Sequence, residues 1–141
     1  MKNNFFVLVA VIAISLSANC QPLKVPAVVK NAFNAKYPNA TNVTWGKENA
    51  KEYEAEFKFN NNSVSANFGL SGNWVESETI IPVADLPAAV KAAIIKKYPG
   101  ASITMAEKLE MPGDKLLYEA ALNVNGKKKS MELNPDGSLA K

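Results

Sequence analysis

From Val25 onward, apolar residues recur at helical spacing: Val25, Val29, Ala32 and Phe33 form a stripe that Lys36 closes. The same spacing returns in Leu86, Val90, Ala93, Ile94 and Lys97. Pro26 and Pro87 suit a first helical turn, where no amide donor is needed, and Pro38 and Pro99 stop the helix one residue after a Tyr. Two amphipathic helices are predicted. After each helix the period switches to two, with Tyr53, Ala55, Phe57 and Phe59 alternating with Glu54, Glu56, Lys58 and Asn60. Tyr118, Ala120, Leu122 and Val124 alternate in the same way with Glu119, Ala121, Asn123 and Asn125. These are half-buried antiparallel strands. Asn60-Asn61-Asn62 and Asn125-Gly126 are hairpin turns, leading into Val64/Ala66/Phe68 and Lys129/Met131/Leu133. Ser71-Gly72 and Asp136-Gly137 are the next turns, leading to a strand at 74–81 and a stub at 138–141. Val43/Trp45 and Ile103/Met105 supply a strand directly after each helix.

The two halves are related to each other. Val25 to Ala40 realigns on Leu86 to Ala101 at an offset of 61, with nine of sixteen positions identical. After a four-residue insertion the offset becomes 65, pairing Tyr53-Glu54-Ala55 with Tyr118-Glu119-Ala120 and Gly72 with Gly137. The chain therefore reads as two tandem pseudo-repeats, 25–81 and 86–141, each a helix followed by a β-meander. A unit of about sixty residues is marginal alone, so the two are expected to share one core. The predicted class is α+β, with both helices on one face of an antiparallel sheet of about eight strands.

Residues 1–20 read as an export signal: Lys2 precedes the apolar run Phe5 to Leu16, which is too short to span a bilayer comfortably. The folded domain is then 21–141. At Cys20 two cleavage readings compete. A lipobox would place an aliphatic residue at Ser17 and a small one at Asn19, so that match is partial, while Ala18-Asn19-Cys20 also suits cleavage before Gln21. Cys20 is the one cysteine of the 141 residues, so no disulfide can staple the domain.

Composition narrows the function. The chain carries 16 Lys+Arg, all of them Lys, against 13 Asp+Glu, a net charge of +3 that is too slight to indicate nucleic acid. It has no His, which excludes Ser-His-Asp triads and His-containing zinc sites. Gly69-Leu70-Ser71-Gly72 approaches a nucleophile elbow, but Asn73 stands in place of the closing Gly. Lys127-Lys128-Lys129 lacks the interleaved aromatics of a nucleic-acid patch and reads as protection of a sheet edge.

The run Leu-Pro-x-x-Val-x-x-x-Ile-x-x-Lys-Tyr-Pro-x-Ala at Leu86 to Ala101, followed by a Tyr-Glu strand, a polar hairpin and an Asp-Gly turn, resembles the PepSY-like proteins of the Bacteroidetes periplasm. These are also described as β-lactamase-inhibitor-like. The resemblance covers Val25 to Lys141, with Asn39 departing from the Gly seen at Gly100. It implies a tandem helix-plus-sheet fold, a periplasmic or cell-surface location, no enzymatic activity and, more loosely, binding of a peptidase or another hydrolase.

Candidate binding residues come from the polar side of the strands. Glu54/Glu56 and Glu76/Glu78 are i, i+2 pairs that project from one face, and Glu119 repeats Glu54. Such carboxylates could serve glycoside chemistry or, with Asp136, ligate calcium, but no Asp-x-Asp-x-Asp-Gly loop accompanies them. The commoner case is a solvated face on which nearby Lys balances Glu. Trp74 reads either as core or as a binding anchor. The expectation is a secreted or periplasmic, non-enzymatic binding module, protein-binding or hydrolase-inhibitor-like, whose partner is another envelope or secreted protein. It would use a broad, mixed-charge sheet face without a deep pocket. The alternative is a calcium or small-ligand sensor of the envelope. No catalytic residue, cofactor, resident metal or nucleic acid is assigned, and membrane contact would come only through a lipid on Cys20, making the protein an outer-membrane lipoprotein.

Overall fold

A computed structural model describes residues 23–140; the export signal expected over 1–20 and Cys20 lie outside the described residues. Helix α1 spans Ala27–Lys36 and α2 spans Ala88–Lys97. Pro26 and Pro87 occupy the N-cap of each, one place earlier than a first-turn position, and Tyr37 and Tyr98 form the C-caps before the stopping prolines. Val29 and Phe33, and in the second helix Val90 and Ile94, are the buried stripe.

Seven strands form one antiparallel sheet in chain order: β1 Thr41–Lys47, β2 Glu52–Phe59, β3 Asn62–Gly69, β4 Trp74–Ile81, β5 Ser102–Met111, β6 Lys115–Val124 and β7 Lys127–Leu133. The fold is therefore α+β with two helices, as expected, but the eighth strand is absent among the described residues. After the Asn134 to Ser138 turn the described residues form only an isolated bridge, Leu133 to Leu139. The β2–β3 and β6–β7 hairpins turn on Asn60-Asn61 and Asn125-Gly126, all four with positive φ, as a two-residue turn matched to sheet twist requires.

Both helices lie on the same face, yet their contacts form two cores and not the single shared one expected. Under α1, Phe33 packs edge-on against Phe57 at 4.9 Å and Trp45 at 5.2 Å, with Phe68 and Tyr37 completing an aromatic cluster. Under α2 the cluster is aliphatic, built from Val90, Ile94, Leu122, Met131 and Leu133. Between them the helix-side positions of β4 and β5 are Ser77, Thr79, Lys108 and Glu110, a polar belt. Lys108 and Glu110 pair there at 3.2 Å. Gly72 and Gly137 bring the turns after β3 and β7 against the helices. A Cβ would lie 2.8 Å from the Val28 carbonyl oxygen at the first and 2.5 Å from that of Ala89 at the second, so only Gly allows either approach.

Candidate functional site

The face opposite the helices is cupped. It encloses a trough of about 600 Å³ whose lining residues come from β1 through β6. Sheet register explains which side chains meet there. Across one row stand Gly46, Glu54, Asn67 and Glu76; across the next stand Thr44, Glu56, Ser65 and Glu78, followed by Leu109 and Leu117. A third row runs Ile80, Glu107, Glu119 and Glu132. Of the sequence-selected residues, Glu54, Glu56, Glu76, Glu78 and Glu119 all converge on this trough. Asn67 and Ser65 join them, as strand pairing predicts.

Trp74 does not. Between Asn67 and Phe68 the β3–β4 register shifts, so that Asn67 pairs with Glu76 while Phe68 pairs with Trp74. This bulge inserts Val75 and turns Trp74 onto the helix side, although it shares strand parity with Glu76. There Lys36 Nζ sits 3.4 Å from the centroid of the indole, and Trp74 Nε1 donates to Ser77 Oγ at 2.7 Å. Ser77 also hydrogen-bonds the Tyr37 hydroxyl, so that group is satisfied inside the fold and does not reach the surface.

The face is neither flat nor balanced in charge. Seven Glu and two Lys, Lys47 and Lys58, line the trough. Among the described residues the one ion pair is Lys108–Glu110 on the opposite face, and Lys58 Nζ donates to Ser63 Oγ at 2.6 Å and not to a carboxylate. Glu107, Glu119 and Glu132 stand directly opposite one another on three successive strands, an arrangement that repels. Strand pairing read from the sequence already places Glu132 on this face, but that reading overlooked Glu107. The only signal for Glu107 was the register, which needs the bulge between Ile103 and Met105 to be known.

Burial sharpens the repulsion. Glu119 is 3% exposed and Asn67 is 7% exposed. Glu119 Oε1 and Asn67 Oδ1 have no hydrogen-bond partner, while Asn67 Nδ2 donates to Glu76 Oε1 at 3.2 Å. Desolvation pushes the Glu78 carboxyl up to about 8, with Glu107, Glu76, Glu119 and Glu54 adding to it. Desolvation likewise pushes Glu119 up to about 7; Glu107 and Glu132 add to this, and the Ser130 hydroxyl pulls the other way. Burial also raises Glu54, Glu76 and Glu107. Chemically the trough is a bank of hydrogen-bond acceptors that resists full ionisation. It does not converge as a metal centre, since among the described residues no group of three Asp, Glu or Cys comes close enough to hold an ion.

The family model described as "Putative beta-lactamase-inhibitor-like, PepSY-like" matches residues 17–61 and 51–141. No curated protein matches the chain. Among solved structures, a BLIP-like protein from Bacteroides fragilis is similar at 23% identity and a TM-score of 0.74, covering 86% of each chain. A DUF2874 family protein from Bacteroides ovatus superposes at 22% identity and a TM-score of 0.75, covering 85% of this chain and 87% of its own. A structure from Bacteroides eggerthii described among "putative periplasmic proteins" is 20% identical with a TM-score of 0.76, covering 84% and 88%. At these identities the likeness establishes the fold. Among the described residues, no helix is long and apolar enough to cross a membrane.

Proposed function

The chain belongs to the β-lactamase-inhibitor-like, PepSY-like family, and from that premise we propose that it is a non-enzymatic binding module of the cell envelope that holds a protein partner in the trough. The observation that carries this reading is the trough itself, a face spanning six strands that buries unpaired acceptors and sets carboxylates side by side. Such an arrangement costs stability without any packing return, which is what a surface kept for a partner looks like. Its breadth suits a polypeptide better than an enclosed small molecule. The periplasmic description of a solved relative supports an envelope location. Calcium sensing has less support, because calcium takes six to eight oxygen ligands and no three carboxylates of the described residues come close enough together to hold an ion.

Photo-crosslinking tests the reading. A photoreactive residue at position 56, exposed in the trough, is expected to give a discrete adduct in an envelope extract, and one at position 95, exposed on α2, is not. Adducts from position 95 alone would move the binding surface to the helices.

A further inference from the structure

The trough's chemistry restricts what can fill it. Among the described residues, the two buried side-chain atoms left without partners, Glu119 Oε1 and Asn67 Oδ1, are both acceptors, so a complementary ligand must bring donors. The surrounding charge is Glu78, Glu107 and Glu119, with no Lys in ion-pair reach among the described residues, so those donors should carry positive charge. In the midst of these carboxylates Ile80 remains 46% exposed, an apolar patch directly opposite Glu107. Lys and Arg side chains combine these features, a donor-rich cation on an aliphatic stem. A bare metal ion does not, for want of three ligands close enough together among the described residues.

Resting on the reading of the trough as the partner site, we infer that it seats the cationic side chains of a basic polypeptide segment, one ammonium or guanidinium group entering between Glu78, Glu107 and Glu119 with its stem on Ile80. The trough's span decides for a polypeptide over a small polyamine. Lining residues run from β1 to β6, five inter-strand spacings or roughly 24 Å. That distance fits an extended segment of about seven residues laid across the strands, whose trough-facing side chains can meet carboxylates of successive strands. Entry of a cation favours the ionised carboxylates, so binding releases protons from Glu78 and Glu119 near neutral pH. The groups that set this response are Glu54, Glu76, Glu107 and Glu132 around them, with Lys47 and Lys58 at the β1–β2 side.

Calorimetric titration of the folded domain with a capped Lys-Ala-Lys-Ala-Lys-Ala peptide at low salt tests this. One peptide should bind per chain, with a heat that varies between buffers of different ionisation enthalpy as protons are released. Capped Glu-Ala-Glu-Ala-Glu-Ala should not bind. The pair Glu78→Gln and Glu119→Gln should weaken binding by at least about tenfold. Ile80→Ser should weaken it by about threefold, which gives a route that leaves every carboxylate in place. Glu110→Gln, on the helix side, should change it by less than about twofold. Absence of binding at millimolar peptide, equal weakening by Glu110→Gln, or spermine binding as tightly as the peptide would each overturn the inference. If the peptide fails while position 56 still crosslinks a partner through a neutral or acidic segment, the cationic occupant is wrong and the trough remains the partner site. Crosslinks from position 95 alone would remove the site itself.

Discussion

On the helix side of the sheet, Phe68, Ala120 and Leu133 are sealed from solvent in the two cores. One position earlier on the same strands, Asn67, Glu119 and Glu132 face the trough, and two of these three are nearly as buried. At Asn67 and Glu119 burial thus approaches that of their helix-side neighbours while its energetic sign differs. Apolar atoms gain from leaving water, whereas carboxylates and an amide without partners lose. One face holds the molecule together; the other is tolerated by it.

The comparison breaks most visibly under α1. Phe33, Phe57 and Phe68 form an interlocked ring cluster, and truncating Phe57 to Ala removes its contacts with both Phe33 and Tyr37. The expected loss is about 3–5 kcal/mol, read from urea unfolding. A loss below about 1 kcal/mol would mean that the aromatic cluster contributes little beyond what the sheet already supplies.

The turns give the next largest effect. Gly137→Ala places a Cβ 2.5 Å from the Ala89 carbonyl oxygen at a φ of +84°, whereas Gly126→Ala has a similar φ of +80° but meets nothing within 4 Å. Both should pay for the left-handed backbone, about 1 kcal/mol, and Gly137→Ala should cost roughly another 1–2 kcal/mol for the collision with the helix. Equal melting temperatures for the two variants would show that the turn can withdraw from α2 at no cost.

Much of this was legible from pattern alone. The helices, their proline boundaries, both Asn-containing hairpins and the class of the fold follow from periodicity and turn chemistry, because each is decided within a few residues. The Glu pairs were found for the same reason. What failed needed long-range information. Trp74 was ambiguous because a bulge flips its parity, and no local signal marks Val75 as the inserted residue. The polar belt was missed because β5 runs against the usual rule. Lys108 and Glu110 face the helices there, while Leu109 is buried on the trough side beside Leu117. The cupping of the sheet, and with it the burial of Glu119, emerges only when all strands are assembled.

The trough face should respond to neutralisation in the direction opposite to the cores. Glu78 and Glu119 hold protons in the folded state at pH values where the unfolded chain has released them. Between pH 5 and 8 the folded protein therefore binds more protons than the unfolded one, so stability falls as pH rises. Melting temperature is expected to be higher at pH 5 than at pH 8. Replacing both residues, Glu78→Gln with Glu119→Gln, should flatten this slope and raise the melting temperature at pH 8 by roughly 3–6 °C, the size of about 1 kcal/mol in a domain of this length. Thermal melts at pH 5, 6, 7 and 8 measure both. A wild-type melting temperature that rises toward pH 8 would show that the carboxylates are paired in solution.

The smallest stability effect is expected at Ile80, and the sharpest contrast between the faces is its contrast with Ile94. Ile94 is 1% exposed beneath α2, while Ile80 is 46% exposed among the trough glutamates. Truncation to Ala at position 94 opens a cavity in the aliphatic core and should cost about 2–5 kcal/mol. At position 80 nearly half of the residue is already in water and it belongs to neither core, so the cost should stay below about 1 kcal/mol. Were Ile80 only a chance exposed residue, its truncation would also leave capture of the trough's partner unchanged. If it supports a partner's aliphatic stem, Ile80→Ala weakens capture while the melting temperature hardly moves. Urea unfolding paired with crosslinking from position 56 separates the two outcomes, because it reads stability and capture on the same variant.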